Sequence, residues 1–323
     1  MNLGMDTQSI SRTPLGSLRA TPSRVSASFL NPPSYELGRR NAIYSGANRR
    51  YFVPDFPGPI SIKTVISGSA AWEIAGRRFV VHENSYLVLN DHQPYSMTID
   101  SASPATTFVV FFERGFVEDA HRAKTTSTAA LLDVPAGVSS APFVFRERLT
   151  PQPSRVLDAT RAFHRALTSG RISRTAAEEA FLNLAATLAR EQLAANAAAS
   201  RLPALRAATR EELFRRVLRG RDFLLSSLAE PVSLAEAARA ACLSRFHFLR
   251  AFRDVFGQTP HQFLTTQRLE RARQLLLRGD LSVTDVCLES GFQSLGSFSA
   301  LFRRHFGVSP RQVQSSPRAK FQT

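Results

Sequence analysis

Two short stretches hold the residues best suited to contact with a polyanion. Over 245–256 a period of about 3.6 residues puts Phe248, Ala251, Phe252, Val255 and Phe256 on one side. The opposite side carries Phe246, Arg250 and Arg253, with Leu249 flanking, and Arg245 projects from the first turn. A guanidinium can bond a guanine edge in bidentate fashion, and an apolar ring can meet a thymine methyl group. Arg253, farther along, suits a phosphate. A phenylalanine opposite the apolar stripe favours a recognition surface over an ordinary solvated one. In the second stretch Phe298, Leu301, Phe302 and Phe306 form the apolar side. Gly296, Ala300 and Arg303 lie opposite, flanked by Ser297, Ser299 and Arg304. Small residues let a backbone come close to a groove but supply few base-specific bonds. Direct readout is therefore expected from the first helix, with phosphate anchoring and shape reading from the second.

The elements that must position these side chains form an internal repeat. At an offset of 50 residues, Phe248, Phe252 and Phe256 recur as Phe298, Phe302 and Phe306. Arg253 recurs as Arg303, Gly257 as Gly307, Thr259-Pro260 as Ser309-Pro310, and Ser244 as Ser294. Self-similarity of this kind marks a duplicated supersecondary unit. Ser233 and Ser282 cap a short first helix in each copy, and Ser244 and Ser294 cap the second. Cys242-Leu243 and Gly291-Phe292 are the turns between them, and Gly257 and Gly307 end the second helices. Helix, short turn, helix is the expected pattern. The span 260–277 reads as one rigid helix joining the two units, stopped at Arg278-Gly279-Asp280.

The rest of the chain sets the context. Its 323 residues suggest two domains at roughly 100–200 residues each. The net charge is +15, and residues 201–323 hold 20 basic against 10 acidic side chains. This excess attracts polyanions. No apolar run reaches the length of about 18 residues that a membrane span needs. Residues 1–35 are rich in Ser, Arg, Pro and Thr and read as a disordered tail, and 316–323 read as a tail. From about Pro57 to Glu113 short strands with regular turns suggest a small barrel or sandwich: Ile60, Ile62 and Ile66 share one phase, followed by Trp72 and Ile74, Phe79 and Val81, 86–89, and 107–112. Residues 116–228 read as helical. Within them 176–193 is amphipathic, and Ala194–Ala208, with Pro203, reads as a linker.

With these motifs in hand, the chain resembles the AraC family of transcription regulators. The resemblance covers about 211–312 and is densest over Ser282–Pro310, "SVTDVCLESGFQSLGSFSALFRRHFGVSP". The first unit, "CLSRFHFLRAFRDVFGQTP", fits the same mould, except that Cys242 stands where many relatives have glycine. The resemblance implies binding of double-stranded DNA through adjacent major grooves about 34 Å apart. It puts Arg245, Phe246, Leu249 and Arg250 at base-facing positions of the first recognition helix, and Leu295, Gly296, Ser297 and Ala300 in the second. Ser294, Arg253, Arg303 and Arg304 complete the DNA-facing set. The stretch "GSAAWEIAGRRFVVHENSYLVLNDHQPYSMTI" resembles the cupin-like sensor and dimerisation domain of the same family. That similarity implies a small-molecule effector, with Trp72 and His92 as candidate pocket residues. It also implies pairing of subunits, for which 176–193 is a candidate.

The expected fold is α+β: an amino-terminal cupin-like β barrel with helices over 36–200, and an all-α domain over 205–315 whose two helix-turn-helix units are joined by a long helix. The expected protein is a cytoplasmic, nucleoid-associated regulator, an activator by resemblance, with DNA, an effector, RNA polymerase and a possible second copy as partners. No catalytic residue, metal or cofactor is expected. Two rivals stand against it. A metal-dependent cupin enzyme needs clustered ligands, and the barrel region offers His82 and His92 without a His-x-His pair. A DNA-repair alkyltransferase needs a reactive thiolate, and Cys242 and Cys287 both read as packing residues.

Overall fold

The computed structural model describes residues 29–125, 144–170, 172–199 and 207–315. A nearly closed antiparallel barrel is built from β1 (Ala42–Gly58), β2 (Ser61–Ser67), β3 (Ser69–Ile74), β4 (Arg77–His82), β5 (Ser85–Leu89), β6 (Gln93–Phe111) and β7 (Leu149–Pro151). The ladder runs β4-β3-β6-β2-β5-β7, and β1 pairs with β6 along nearly its whole length. Alternation along the strands divides the side chains between two faces. Val65, Trp72, Phe79, Leu87, Tyr95 and Val109 point into the barrel. Ile43, Ile62, Tyr86, Val88, Phe108 and Val110 point out, under a layer of helices. The shared phase of Ile60, Ile62 and Ile66 is the outer, helix-covered one.

The structure corrects the sequence reading at several points. The strand β1 begins 15 residues before the expected start of β structure at Pro57. Its Gly46, Pro54 and Pro57 break the alternation, and its ladder shifts register between Asn48 and Arg50 and between Val53 and Phe56. A strand paired mainly along one side tolerates such residues. The strand β6 is 19 residues long and absorbs the last expected strand, 107–112, all but its final residue. The strand β7 falls inside the region expected to be helical. At the other end, the last part of the expected tail packs against the barrel. Ile43 N–H donates to Phe29 O at 2.8 Å, and the Phe29 ring meets Phe181 edge-on at 5.9 Å.

Helices α1 (Phe116–Thr125), α2 (Arg155–Thr168) and α3 (Arg174–Ala199) cover the outer barrel face. Ser154 caps α2, its side chain accepting from the Val156 and Leu157 amides. The buried side of α3, with Phe181, Leu184, Ala185 and Leu188, closes on Phe163 and the barrel within one subunit. This helix runs on through most of the expected linker's first half, and 200–206 lie outside the described residues.

The carboxy-terminal domain consists of α4 (Ala207–Ser226), α5 (Leu234–Ala240), α6 (Arg245–Phe256), α7 (Pro260–Arg278), α8 (Val283–Glu289), α9 (Leu295–Phe306) and α10 (Pro310–Ser315). The expected caps form: the Ser233, Ser244, Ser282 and Ser294 side chains each accept a backbone N–H of the helix that follows. Thr259 and Gln262 make a reciprocal capping box on α7. The turns of the two units differ. Cys242 takes φ +51° and Gly291 takes φ +85°, the left-handed region that glycine reaches without a Cβ penalty. The first unit thus achieves with cysteine what the second does with glycine. At Gly220 on α4 a Cβ would stand 2.4 Å from the Phe248 ring, so only glycine lets α4 and α6 approach this closely.

Candidate nucleic-acid interface, sensor cavity and the contact between them

Packing fixes which face of each recognition helix is free. On α6, Phe248, Ala251, Phe252 and Val255 are buried, and the Phe248–Phe252 and Phe252–Phe263 rings meet at 5.4 and 5.5 Å. The remaining side of the helix is left to solvent. Arg245, Arg250 and Arg253 are exposed, Leu249 is half-buried, and Phe246 is 85 % exposed. None of the three arginines makes a salt bridge with a described residue. Their charge is therefore available to an incoming anion. The helix begins in the open, with only the Ser244 hydroxyl accepting a first-turn amide.

On α9 the same construction recurs, with Phe298–Phe302 at 5.6 Å and Phe302–Phe306 at 4.6 Å. Ser294, Leu295, Gly296, Ser297, Ala300, Arg303 and Arg304 are all exposed. Arg303 and Arg304, together with His305, lie in the last turn. The amino-terminal half of this free face thus holds only small residues and Leu295, which is 43 % exposed, and its charge sits at the far end. The structure brings the DNA-facing candidates onto two like surfaces of unlike chemistry.

The two sensor candidates part company. Trp72 is buried and lines a cavity of about 40 Å³ inside the barrel, with Tyr44, Tyr51, Lys63, Tyr95 and Phe111 among its other walls. His92 is not brought there. It lies exposed in the β5–β6 turn at φ +56°, its Nδ1 3.0 Å from Asp91. His82, the other barrel-region histidine, is buried against α7. Among the described residues no group of three His, Cys, Asp or Glu side chains is placed to hold a metal ion.

The sequence reading missed the contact that joins the two domains. Asp222 on α4 is buried, accepts the Leu149 amide at 3.2 Å and pairs with Arg221 at 2.8 Å, while Arg221 donates to the Leu149 carbonyl. Arg77 on β4 stands 3.6 Å from the second Asp222 oxygen. Burial raises the Asp222 pKa, opposed by the surrounding arginines. Farther along, α7 lies over the β4–β5 turn. Arg278 pairs with Glu83 at 2.9 Å, Arg271 donates to His82 Nδ1 at 2.8 Å, and Asn84 donates to the Gln267 carbonyl at 3.3 Å. Burial, and then the Arg271 charge, hold the His82 pKa down at about 3. The apolar side of the contact is continuous as well. One cluster of buried side chains runs from Trp72, Tyr95 and Phe111 in the barrel through Phe214 and Leu225 on α4 to Phe248 and Phe252 on α6. The arginines of α7 gave no sign of this contact in the sequence, because they stand at helical positions that suit water equally well.

Residues 42–185 match the model of the AraC-like ligand binding domain, and residues 237–316 match that of a helix-turn-helix domain. The HTH-type transcriptional regulator ArgR of Pseudomonas aeruginosa is 34 % identical over 93 residues, 29 % of this chain and 28 % of that protein. The HTH-type transcriptional activator RhaS of Escherichia fergusonii is 38 % identical over 100 residues, 31 % of this chain and 36 % of that protein. The chain thus spans about a third of the length of these curated relatives. Among solved structures, the DNA-binding domain of AdpA in complex with a target DNA is 34 % identical, covering 33 % of this chain and 96 % of that one, with a TM-score of 0.32.

Proposed function

The chain belongs to the AraC family, and on that premise we propose that it is a transcription regulator in which an effector bound by the barrel alters how two helix-turn-helix units grip DNA. The observation that carries the reading is the free face of α6. Phe246 is exposed and Arg245 and Arg250 are unpaired at the start of a capped helix, where a groove-reading surface needs them. Arg245, Phe246, Leu249 and Arg250 take base edges of one half-site. Arg253 takes its phosphates. Ser294, Leu295, Gly296, Ser297 and Ala300 lie close along the second half-site, held by Arg303 and Arg304.

The interdomain contact supplies a route for the effector. A ligand shifts an equilibrium only by its differential affinity for two states. A cavity whose walls share a core with α6 gives such a ligand a physical hold on the reading head. Release or tightening of the Asp222, His82 and Glu83 contacts is the conformational variable. The protein works where DNA is, in the cytoplasm, and RNA polymerase and a second copy of the chain are its expected partners. No helix among the described residues is long and apolar enough to cross a membrane. Catalysis has no part in this reading. Stoichiometric transition metal in the purified protein would replace it with the cupin-enzyme reading, and methyl transfer to Cys242 or Cys287 with that of an alkyltransferase.

The test is selection of the full-length chain against random DNA, with sequencing of the bound fraction. The expected result is a bipartite motif with halves about one helical turn apart. Enrichment of no motif, with binding lost at moderate salt, would leave only a non-specific basic surface.

A further inference from the structure

The barrel cavity contains a charge problem. Lys63 on β2 points to the lumen side and is 1 % exposed. Its ammonium donates to the Tyr95 hydroxyl at 2.8 Å and stands 4.1 Å from the Tyr95 ring and 4.2 Å from the Phe111 ring. No carboxylate of a described residue pairs with it, and no residue lining the cavity is acidic. The two buried acids bordering the interdomain contact are already engaged, Glu83 by Arg278 and Asp222 by Arg221. A buried ammonium without a counter-charge is costly, and ring faces offset only part of that cost. Burial accordingly pushes the Lys63 pKa well below its ordinary value. The titratable groups that face it are Tyr44, Tyr51 and Tyr95, all held upward by burial and neutral at physiological pH. With no counter-charge on the lining residues the ammonium form is disfavoured, and an anion brought in from outside the protein would restore it.

We propose that the cavity takes a small organic acid with an apolar body, its carboxylate held by the Lys63 ammonium and the Tyr95 hydroxyl. The proposal rests on the reading of the barrel as the effector domain and gives that effector a chemical class. Trp72, Met97, Val109 and Phe111 supply apolar walls for the body of the acid. The cavity measures about 40 Å³, so a ring enters only as a wall gives way. The wall suited to do so is β1, which carries Asn48 and Tyr51 beside a break in its ladder register. An acid bound there completes the ion pair that the fold leaves half-built.

The molecule carries its own reporter, because Trp72 is the only tryptophan of the chain and lines this cavity. Full-length protein is titrated with butyrate and benzoate and with their uncharged counterparts butyramide and benzamide, and Trp72 emission is followed. The acids are expected to give saturable shifts at about tenfold lower Kd or better than the amides at neutral pH. That advantage should shrink as pH rises and Lys63 loses its proton. Lys63→Met, which keeps the length of the side chain, should abolish it. Tyr95→Phe, which spares the ammonium, should weaken acid binding while keeping the preference, and provides a second variant should the first fail to fold. Equal binding of acids and amides by the wild-type protein overturns the proposal and leaves the cavity as an effector site of another specificity. No response to any of the four up to ~10 mM overturns both the proposal and the reading of the cavity as an effector site.

Discussion

In the first helix-turn-helix unit the aromatic core of Phe248, Phe252 and Phe263 runs without a break into the barrel, whereas in the second Phe298, Phe302, Leu276 and Val286 close on themselves. The two units descend from one pattern and share caps, ring stacking and glycine stops. Their surroundings differ, and so do their free faces. The unit fused to the sensor displays Arg245, Phe246 and Arg250, and the unit with its own core displays small residues. The contrast suggests a division of labour: the head that feels the effector also reads the bases, and the other steadies the complex. Helix α7 joins them, giving Phe263 and Leu264 to the first core and Leu269, Ala272, Leu275 and Leu276 to the second.

The sharpest way to break this comparison is to hollow each core. Phe252→Ala and Phe302→Ala should each cost about 3–5 kcal/mol. The difference lies in where the cost appears. Hydrogen exchange should show Phe252→Ala loosening α4, α6 and the barrel strands together, and Phe302→Ala loosening only α8–α10 and the end of α7. Equal spread from both sites would mean that the two cores are not separate units. A second effect on the sensor side follows from His82. Its depressed pKa means that the unfolded chain binds a proton that the folded chain refuses between about pH 6.5 and about pH 3. Its contribution is therefore intact above pH 6.5 and is lost as pH falls through that window, by a few kcal/mol at most. Thermal melts of wild type and His82→Gln should diverge only below about pH 6.5, with the variant the flatter of the two. Parallel curves would remove His82 from the contact's energetics.

At the DNA, Arg250→Ala should cost roughly 1–3 kcal/mol and relax the preference at one base, while Arg303→Ala should weaken all sequences and lower the salt slope by about one. Indistinguishable behaviour of the two variants, or equal loss of preference when either half-site is scrambled, would erase the distinction between reader and anchor.

Much of this was legible in the sequence because the carboxy-terminal domain signals locally. Caps, glycine stops and aromatic spacing are each set by neighbours within one turn, so Ser244, Gly257 and the Phe248–Phe252 stripe could be read directly. The exposed position of Phe246 followed from the same period. The barrel was harder. The partner of β1 lies some fifty residues away, and its prolines and bulges hide a strand that only pairing with β6 reveals. The interdomain contact left no local mark at all. Arg271 and Arg278 sit at helical positions that suit water equally well, and only the fold carries His82 and Glu83 beneath them. Trp72 was readable as an inward residue, but Lys63 beside it becomes conspicuous only once its whole surroundings are known.

The smallest expected effect concerns the two turns. Gly291 cannot accept a side chain, because a Cβ there would stand 2.2 Å from the Leu228 carbonyl oxygen and 2.9 Å from Arg268 Nε. Gly291→Ala should therefore destabilise by about 1–3 kcal/mol through crowding and strain. Cys242 already bears the left-handed conformation with its Cβ in place. Relief of that strain by Cys242→Gly is worth about 1–2 kcal/mol, and the added freedom of the unfolded chain takes back about 0.5–1 kcal/mol. A net gain of several tenths of a kcal/mol is left. Denaturant melts should thus move in opposite directions for the two variants. If Cys242→Gly instead lost stability, the cysteine side chain would be contributing packing in the first unit that glycine does not supply in the second, and the two turns would be unlike in more than the residue that makes them.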